Sequence, residues 1–363
     1  MRFQVSVVNA NADILSSTVR ALDLLKWSPN ENGSYLVKPN MLNSKTSEQG
    51  VTTDPRLVKA IVGVLRSAGA RTLVGDSPGN AYPGKARTVF KNTGMLEAVI
   101  SAGAEFIEFE ESPPQIVETN GELIKTIGLG KAVFEHKIIN VPKLKTHLQT
   151  VMSGAIKNLA MGCIQGSGKG MIHEIGRTGE SMAKAMIDVY SIIRPQVSLN
   201  IMDAIVCMEG NGPSSGRPIN VGRLLASRDA LALDMVAFRM AGIDPMKVPH
   251  IKEAARRSLG PSSFSEIEIL GDEPTPFKFK MAKTFVYNML LYTGSLAEAA
   301  LGASIWFDHS KCTQCGECKD ICPVNAIMLK PYPELDSSKC IKCYTCHEIC
   351  EHNAVKIKRS KLS

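Results

Sequence analysis

Eight of the ten cysteines in this chain lie between Cys312 and Cys350, and the sequence around them repeats itself at an offset of 28 residues. Ser310 to Lys330 and Ser338 to Lys358 agree at ten of 21 positions, the four cysteines of each copy included. Each copy reads C-x2-C-x2-C-x3-C, and the first closes on Cys322-Pro323. In bacterial-type ferredoxins three cysteines so spaced wrap one [4Fe-4S] cube while the fourth ligates the other cube. The expected ligand sets are therefore crossed. Cys312, Cys315, Cys318 and Cys350 hold one cluster, and Cys340, Cys343, Cys346 and Cys322 hold the second. Zinc also accepts paired C-x2-C ligands, but two duplicated four-cysteine units of this spacing point to iron. Two departures from the ferredoxin pattern matter. Gly316 eases the loop in the first copy where Tyr344 stands in the second, and Glu351 replaces the proline after the last cysteine. Neither removes a ligand, but both alter the polypeptide around the cubes, so the two potentials are expected to differ.

The remaining three hundred or so residues obey a different pattern. Short apolar segments suited to buried strands recur at 4–8, 35–37, 71–74, 105–109, 137–141, 198–205, 224–226 and 266–270, and amphipathic helix-length stretches lie between many of them, at 55–68, 181–193, 229–240 and 248–258. Such alternation implies an α/β domain with a largely parallel sheet and helices. The whole chain then reads as that domain over residues 1–280, a linker helix over 281–305, and a small α+β ferredoxin-type two-cluster domain over 306–358. The run from Phe285 to Phe307 is interrupted by Asn288, Gly294, Glu298, Gly302 and Ser304, too often for a membrane span. Lys278, Lys280 and Lys283 among Phe277, Phe279 and Phe285 read better as a solvated helix start than as a membrane-surface segment. Met1 to Val5 offers no basic stretch followed by an apolar one, so a cytoplasmic location is expected.

The formal charge of +7 falls to about +3 once each oxidised cluster with its four thiolates contributes about −2. So weak a balance, without interleaved basic and aromatic residues, argues against nucleic acid as a partner.

Ligand sites in parallel sheets form at the carboxyl ends of the strands, and the polar loops of this chain fall there. Lys38 and Asn40 leave the second strand, Asp76 and Ser77 the third, and Lys143, Lys145 and His147 the fifth; Lys157, Asn158 and Asn211 follow in later loops. Lys143, Lys145 and His147 alternate along an extended segment and so share one face. The expectation is one cleft in which these lysines hold an anionic group close to the loop from Gly210 to Gly216, with His147 as a proton donor and His173 as the other candidate. Gly75 to Gly79 is read as a strand-to-helix turn or as a backbone cradle for an anion at a helix start. Gly166 to Gly170 looks like a phosphate loop but has Cys163 where such a loop needs glycine and Gly170 where it needs a hydroxyl. No GxGxxG follows the first strand. Asp203 and Glu209 bracket a strand end, where capping and metal or proton handling are equally open, and Cys163 and Cys207 are expected to be buried as small hydrophobes.

The strings VKPN, TTDP, GDSPG, NVPKLKTH, GAIKN and MEGNGPSSG, followed by Ala226-Ser227-Arg228-Asp229 and Asp234, resemble the domain of unknown function family numbered 362, over roughly residues 35 to 240. Members of that family are often followed by a ferredoxin domain. The resemblance implies a fold and the company of iron–sulfur chemistry, and it supplies no reaction. Joined to the residues, it gives an iron–sulfur oxidoreductase that passes low-potential electrons from a reduced carrier or redox partner protein to a small anion in the cleft. The alternative is a non-enzymatic electron-delivery or maturation factor that docks another metalloenzyme, and a concave cavity rather than a flat apolar patch would separate the two.

Overall fold

The computed structural model describes residues 2–10, 12–282 and 303–359. All eight expected strands are present as β1 (Phe3–Asn9), β2 (Ser34–Pro39), β3 (Arg71–Val74), β4 (Glu105–Phe106), β7 (Lys137–Val141), β10 (Val197–Glu209), β11 (Arg217–Ser227) and β12 (Ile267–Gly271). Four further strands escaped the sequence reading: a hairpin of β5 (Gln115–Glu118) and β6 (Thr126–Leu129), and the short β8 (Lys143–His147) and β9 (Val151–Ser153).

The main sheet has ten strands in the order β12-β1-β11-β10-β7-β2-β3-β4, with β8 on β10 and β9 on β8. Pairing is parallel except at β1/β11, β10/β11 and β8/β9, so the sheet is mixed but mostly parallel. Alternate residues of the strands serve opposite faces. Ile138 and Met202 enter the core under the helices Ala155–Gly162, Gly179–Ile193 and Ala230–Met240. Ile139 and Ile201 enter the core under Ile14–Leu24 and Pro55–Ser67. Helices on both faces give three layers and account for the almost continuous apolar strands.

One irregularity places the site. Pro142 interrupts the ladder between β7 and β8, its carbonyl accepts from Asp203 N at 2.8 Å, and the long β10 pairs with β7 before that point and with β8 beyond it. The segment carrying Lys143, Lys145 and His147 thereby continues parallel to β10 past the end of β7, extending the sheet at its carboxyl end.

The cysteine-rich module consists of β13 (Ala303–Phe307) paired with β16 (Val355–Arg359), β14 (Ile327–Lys330) paired with β15 (Tyr332–Leu335), and the short helices Glu317–Asp320 and Thr345–Ile349. Its first strand begins at Ala303, so residues 303–305 belong to the module rather than to a linker helix; the rest of that helix, from 283 to 302, lies outside the described residues. The duplication extends to backbone angles. Gln314 and Lys342, Gly316 and Tyr344, and Asn325 and Asn353 all hold positive φ, between 49° and 83°. Tyr344 thus repeats the conformation of Gly316 despite its side chain, which is buried in an apolar cluster that Leu148 and Ala282 of the larger domain also join. That packing offsets the steric cost of the left-handed region.

Among the described residues no helix is long and apolar enough to cross a membrane.

Candidate functional site

None of the eight motif cysteines is in a disulfide, and their side chains line two separate voids, four to each. Cys312, Cys315, Cys318 and Cys350 surround the first, and Cys322, Cys340, Cys343 and Cys346 the second. These are the crossed sets that the spacing requires. Among the described residues no His, Cys, Asp and Glu group closes to the geometry of a single bound ion, whereas four thiols around an apolar hollow suit a cube. The chain supplies hydrogen bonds to sulfur as well: Ala326 N to Cys322 Sγ at 3.2 Å, Ala354 N to Cys350 Sγ at 3.3 Å, and Thr345 Oγ1 to Cys343 Sγ at 3.4 Å. The first two are duplicates of one another; the third has no twin in these contacts. Such bonds tune reduction potential.

A third cavity, of about 70 Å³, opens at the carboxyl ends of β2, β3 and β7. It has room for several waters or one small anion. Lys143, Lys145, Lys157 and Lys169 line it together with Asn40, Asp76, Ser77 and Asn158. Its far wall is Thr345, Glu348 and Ile349, from the helix that carries Cys346.

Most of the cavity's charges are already tied to the protein. Lys143 Nζ meets Asp203 Oδ2 at 2.8 Å with both side chains fully buried, and Asp203 also accepts from Asp54 N at 2.7 Å and Ile205 N at 3.0 Å. Asp203 is therefore a structural anchor. Glu209 is another, bound to Arg217 and to Lys280 N at 2.9 Å. Lys38 is fully buried behind the cavity, 2.6 Å from Asp76 Oδ1, while Asp76 Oδ2 accepts from Met41 N at 2.7 Å. A Cβ on Gly162 would lie 2.2 Å from Lys38 Nζ, so the pair needs a glycine there. Lys145 Nζ donates to Asn40 Oδ1 at 2.6 Å and Val51 O at 2.7 Å. Asn40 is seated in turn by Asn158 at 3.2 Å, and Asn158 by Asn140 at 2.8 Å. Burial, then the ammoniums of Lys157 and Lys143, push Lys145 well below the usual lysine range.

Lys157 is the exception. Among the described residues no hydrogen bond or ion pair reaches its ammonium, which burial lowers and the charge of Glu348 partly restores. Ser153 Oγ, buried on the cavity wall, is also without a partner. The helix Ala155–Gly162 that presents Lys157 starts where Asp234 accepts from Ala155 N at 2.6 Å and Ile156 N at 3.0 Å. Gly154 makes that approach possible, because a Cβ there would lie 2.1 Å from Asp234 Oδ1. Burial raises the Asp234 carboxyl to about 7.

Of the two candidate histidines only His173 is on the cavity wall. His147 does not line the cavity. Its Nδ1 accepts from Gln149 N at 3.1 Å and Thr150 N at 3.2 Å, which leaves the proton on Nε2, 3.1 Å from Glu348 Oε1. Burial lowers His147 to about 4, so it joins the two domains as a neutral ring and is not placed as a proton donor to the cavity. His173 does line the cavity. Gln149 gives its Nε2 to Gly176 O at 2.9 Å and so turns its oxygen to His173 Nδ1 at 3.1 Å, which fixes the proton there and makes Nε2 an acceptor. Burial lowers His173 to about 4 as well.

Of the expected residues, Asn40, Asp76, Ser77, Lys143, Lys145, Lys157 and Asn158 share the cavity, while Lys38 stands one layer behind and Asn211 is not on its wall; only Pro213 comes to it from the 210–216 loop. Gly75 to Gly79 opens no helix, since the next one begins at Lys85. Instead Lys169 pins that loop, donating to Ser77 O at 3.0 Å, Pro78 O at 2.6 Å and Ser77 Oγ. Ser77 Oγ then donates to Glu110 Oε1 at 2.5 Å. Lys169 sits in the glycine-rich stretch that fails as a phosphate loop, and nothing in that pattern told its role. Cys163 and Cys207 are buried, with thiols pushed up by burial and away from reactivity.

Comparison with known proteins agrees with this layout. Residues 36–239 match the domain of unknown function 362 family (DUF362), and residues 305–328 and 333–356 each match the 4Fe-4S binding domain. The "Thylakoid-associated protein sll1697" of Synechocystis sp. (strain ATCC 27184 / PCC 6803 / Kazusa) is 33% identical over 230 residues, 63% of this chain and 69% of that protein. The lactate racemase apoprotein from Thermoanaerobacterium thermosaccharolyticum superposes with a TM-score of 0.44 at 12% identity over 66% of this chain and 57% of its own, a likeness too slight to argue from. With its strand-end motifs, its paired clusters and a family match spanning more than half its length, this chain belongs to the DUF362 family and carries a two-cluster [4Fe-4S] electron-transfer module.

Proposed function

We propose that the chain is an oxidoreductase that delivers low-potential electrons to a small anion held in the cavity between the α/β domain and the cluster module. One observation carries this reading: the wall facing Lys143, Lys145 and Lys157 is the helix Thr345–Ile349, whose Cys346 is a cluster ligand. The clusters supply single electrons at low potential. A reduced carrier or redox partner protein would provide them.

The residues account for the anion. Around the cavity five lysines (Lys38, Lys143, Lys145, Lys157 and Lys169) face four carboxylates (Asp76, Glu110, Asp203 and Glu348), which leaves one positive charge in excess when all are ionised. That balance suits a monoanion. Bound between Lys145 and Lys157, it would be enclosed by Pro213 and Ile349, which exclude water, while the His173 Nε2 lone pair is available to accept a proton. The electron-delivery or maturation alternative would need a broad apolar docking face, and the exposed large apolar side chains, such as Leu15, Ile100, Ile116 and Met246, are scattered in the sequence.

A thermal-shift series on anaerobically reconstituted protein tests the reading. Small monoanions such as acetate, formate or nitrate should raise the melting temperature, by an amount equivalent to about 2.7 kcal/mol at a hundredfold excess over Kd. Lys145→Ala should remove the shift while leaving the cluster spectrum intact. An identical shift in the variant would place the anion elsewhere. No shift in the parent protein would defeat the proposal.

A further inference from the structure

We propose that Lys157 is a nucleophilic amine that condenses with the carbonyl of a small 2-oxo acid whose carboxylate lies against Lys145 and Lys143. The inference rests on the reading of this cavity as an anion site and names its substrate class.

Lysines in the cavity divide by what they are bound to. Lys143 is held by Asp203, Lys145 by Asn40 and Val51 O, and Lys169 by the Ser77 loop. These three are aimed by the protein and already partnered. Lys157 has no such partner, though it stands on a helix whose start is clamped by Asp234. A lone ammonium in a partly desolvated cavity beside other ammoniums loses its proton readily, and the resulting amine is a nucleophile. Burial acts in that direction, and the charge of Glu348 opposes it only in part.

Two further groups fit the step. Ser153 Oγ, 6% exposed and unpartnered, is one turn of chain before Lys157 on the same wall and can donate to a carbonyl oxygen. His173, with Nε2 as acceptor, can take a proton from the attacking nitrogen and return it to the departing oxygen. In the balanced step the Lys157 ammonium and the ketone or aldehyde carbon form a protonated imine, and the carbonyl oxygen leaves as water with two of the three ammonium protons. The C=O bond breaks, the C=N bond forms, and the net charge is unchanged. No oxidant or reductant is needed. A cavity of about 70 Å³ admits a two- or three-carbon acid and little more.

The test uses the full chain with both clusters loaded, glyoxylate as the probe and cyanoborohydride to reduce any imine, followed by peptide mass spectrometry. Lys157 should gain one carboxymethyl group about tenfold faster than the exposed Lys59, an internal reference. Lys157→Met, or Lys157→Arg if the first variant fails to load its clusters, should lose that fast label and keep the slow background. Even labelling of all lysines, or fast labelling of a different one, overturns the proposal. Acetate, which has the carboxylate and no carbonyl, separates the two readings. Should acetate raise the melting temperature while glyoxylate leaves Lys157 unlabelled, the anion site stands and the imine falls. If acetate has no effect either, both fall.

Discussion

The cysteine module and the lysine cavity both gather like groups, and they stabilise them by opposite means. In the module eight cysteine sulfurs face two hollows, and the chain's own hydrogen bonds reach Cys318, Cys322, Cys343 and Cys350. The arrangement is completed from outside by iron and sulfide. In the cavity nearly every charge is completed from within. Lys38 and Lys143 have carboxylates at 2.6 and 2.8 Å, and Lys145 and Lys169 have carbonyl and amide oxygens. A site built for a permanent inorganic group leaves all its ligands open, whereas a site built for a transient molecule leaves open only the group that must meet it. On the reading proposed above, Lys157 and Ser153 are those groups.

Removing one ligand from the module should have the largest effect. Cys322→Ala is expected to destroy the cluster held by Cys340, Cys343 and Cys346 and to leave the other largely intact, so iron should fall from about eight to about four per chain. Iron analysis and low-temperature EPR measure this. Loss of the nearer cluster instead would mean that the ligand sets are not crossed.

A smaller loss is expected when the cavity's internal pairing is broken. Asp203→Ala strands the Lys143 ammonium at zero exposure and removes an acceptor from Asp54 N and Ile205 N. Denaturant unfolding should show a loss of about 3–5 kcal/mol. A change below about 1 kcal/mol would mean that water already serves Lys143, and the contrast with the open thiols would blur.

The smallest effect concerns the buried rings. Burial lowers His147 and His173 to about 4 and His250 to about 3, and both nitrogens of His250 lack partners. Because the folded state holds these rings below their unfolded value near 6.5, the chain binds fewer protons folded than unfolded. The associated stability is present above pH 6.5 and is lost as pH falls toward 4. His250→Phe should reduce the difference in unfolding free energy between pH 7.5 and 5.5 by about 1 kcal/mol. Unfolding that loses the same stability in parent and variant would place the acid sensitivity elsewhere.

The sequence disclosed these regions unequally. Ligands for both cubes lie within 39 residues at fixed spacing, because a cube has fixed dimensions and a local loop must match them. The strands were legible from apolar runs, but β8 and β9 were not, since Lys143, Lys145 and His147 look like a polar loop and are buried only through Asp203, Asn40 and Glu348. The converging lysines could be named from their positions at strand ends. Their division into partnered and unpartnered could not, because it depends on contacts as distant as Asn40 with Lys145. Glu348 and Thr345 were missed for a related reason: in the sequence they are spacers between cysteines, and only the docking of the two domains turns them toward the cavity.

That docking makes Cys346 a hinge pin for two separate tasks. The helix Thr345–Ile349 is held by its own cluster on one side and by Ser214 Oγ on Glu348 O, at 2.5 Å, on the other. Asn43 Nδ2 on Glu348 O at 3.4 Å, His147 Nε2 at 3.1 Å from Glu348 Oε1 and His347 Nδ1 at 2.6 Å from Val355 O hold the same helix, so the cavity's fourth wall is tied down from several sides. On the reading proposed above, one short helix therefore both carries a cluster ligand and closes the chamber that its electrons would reach.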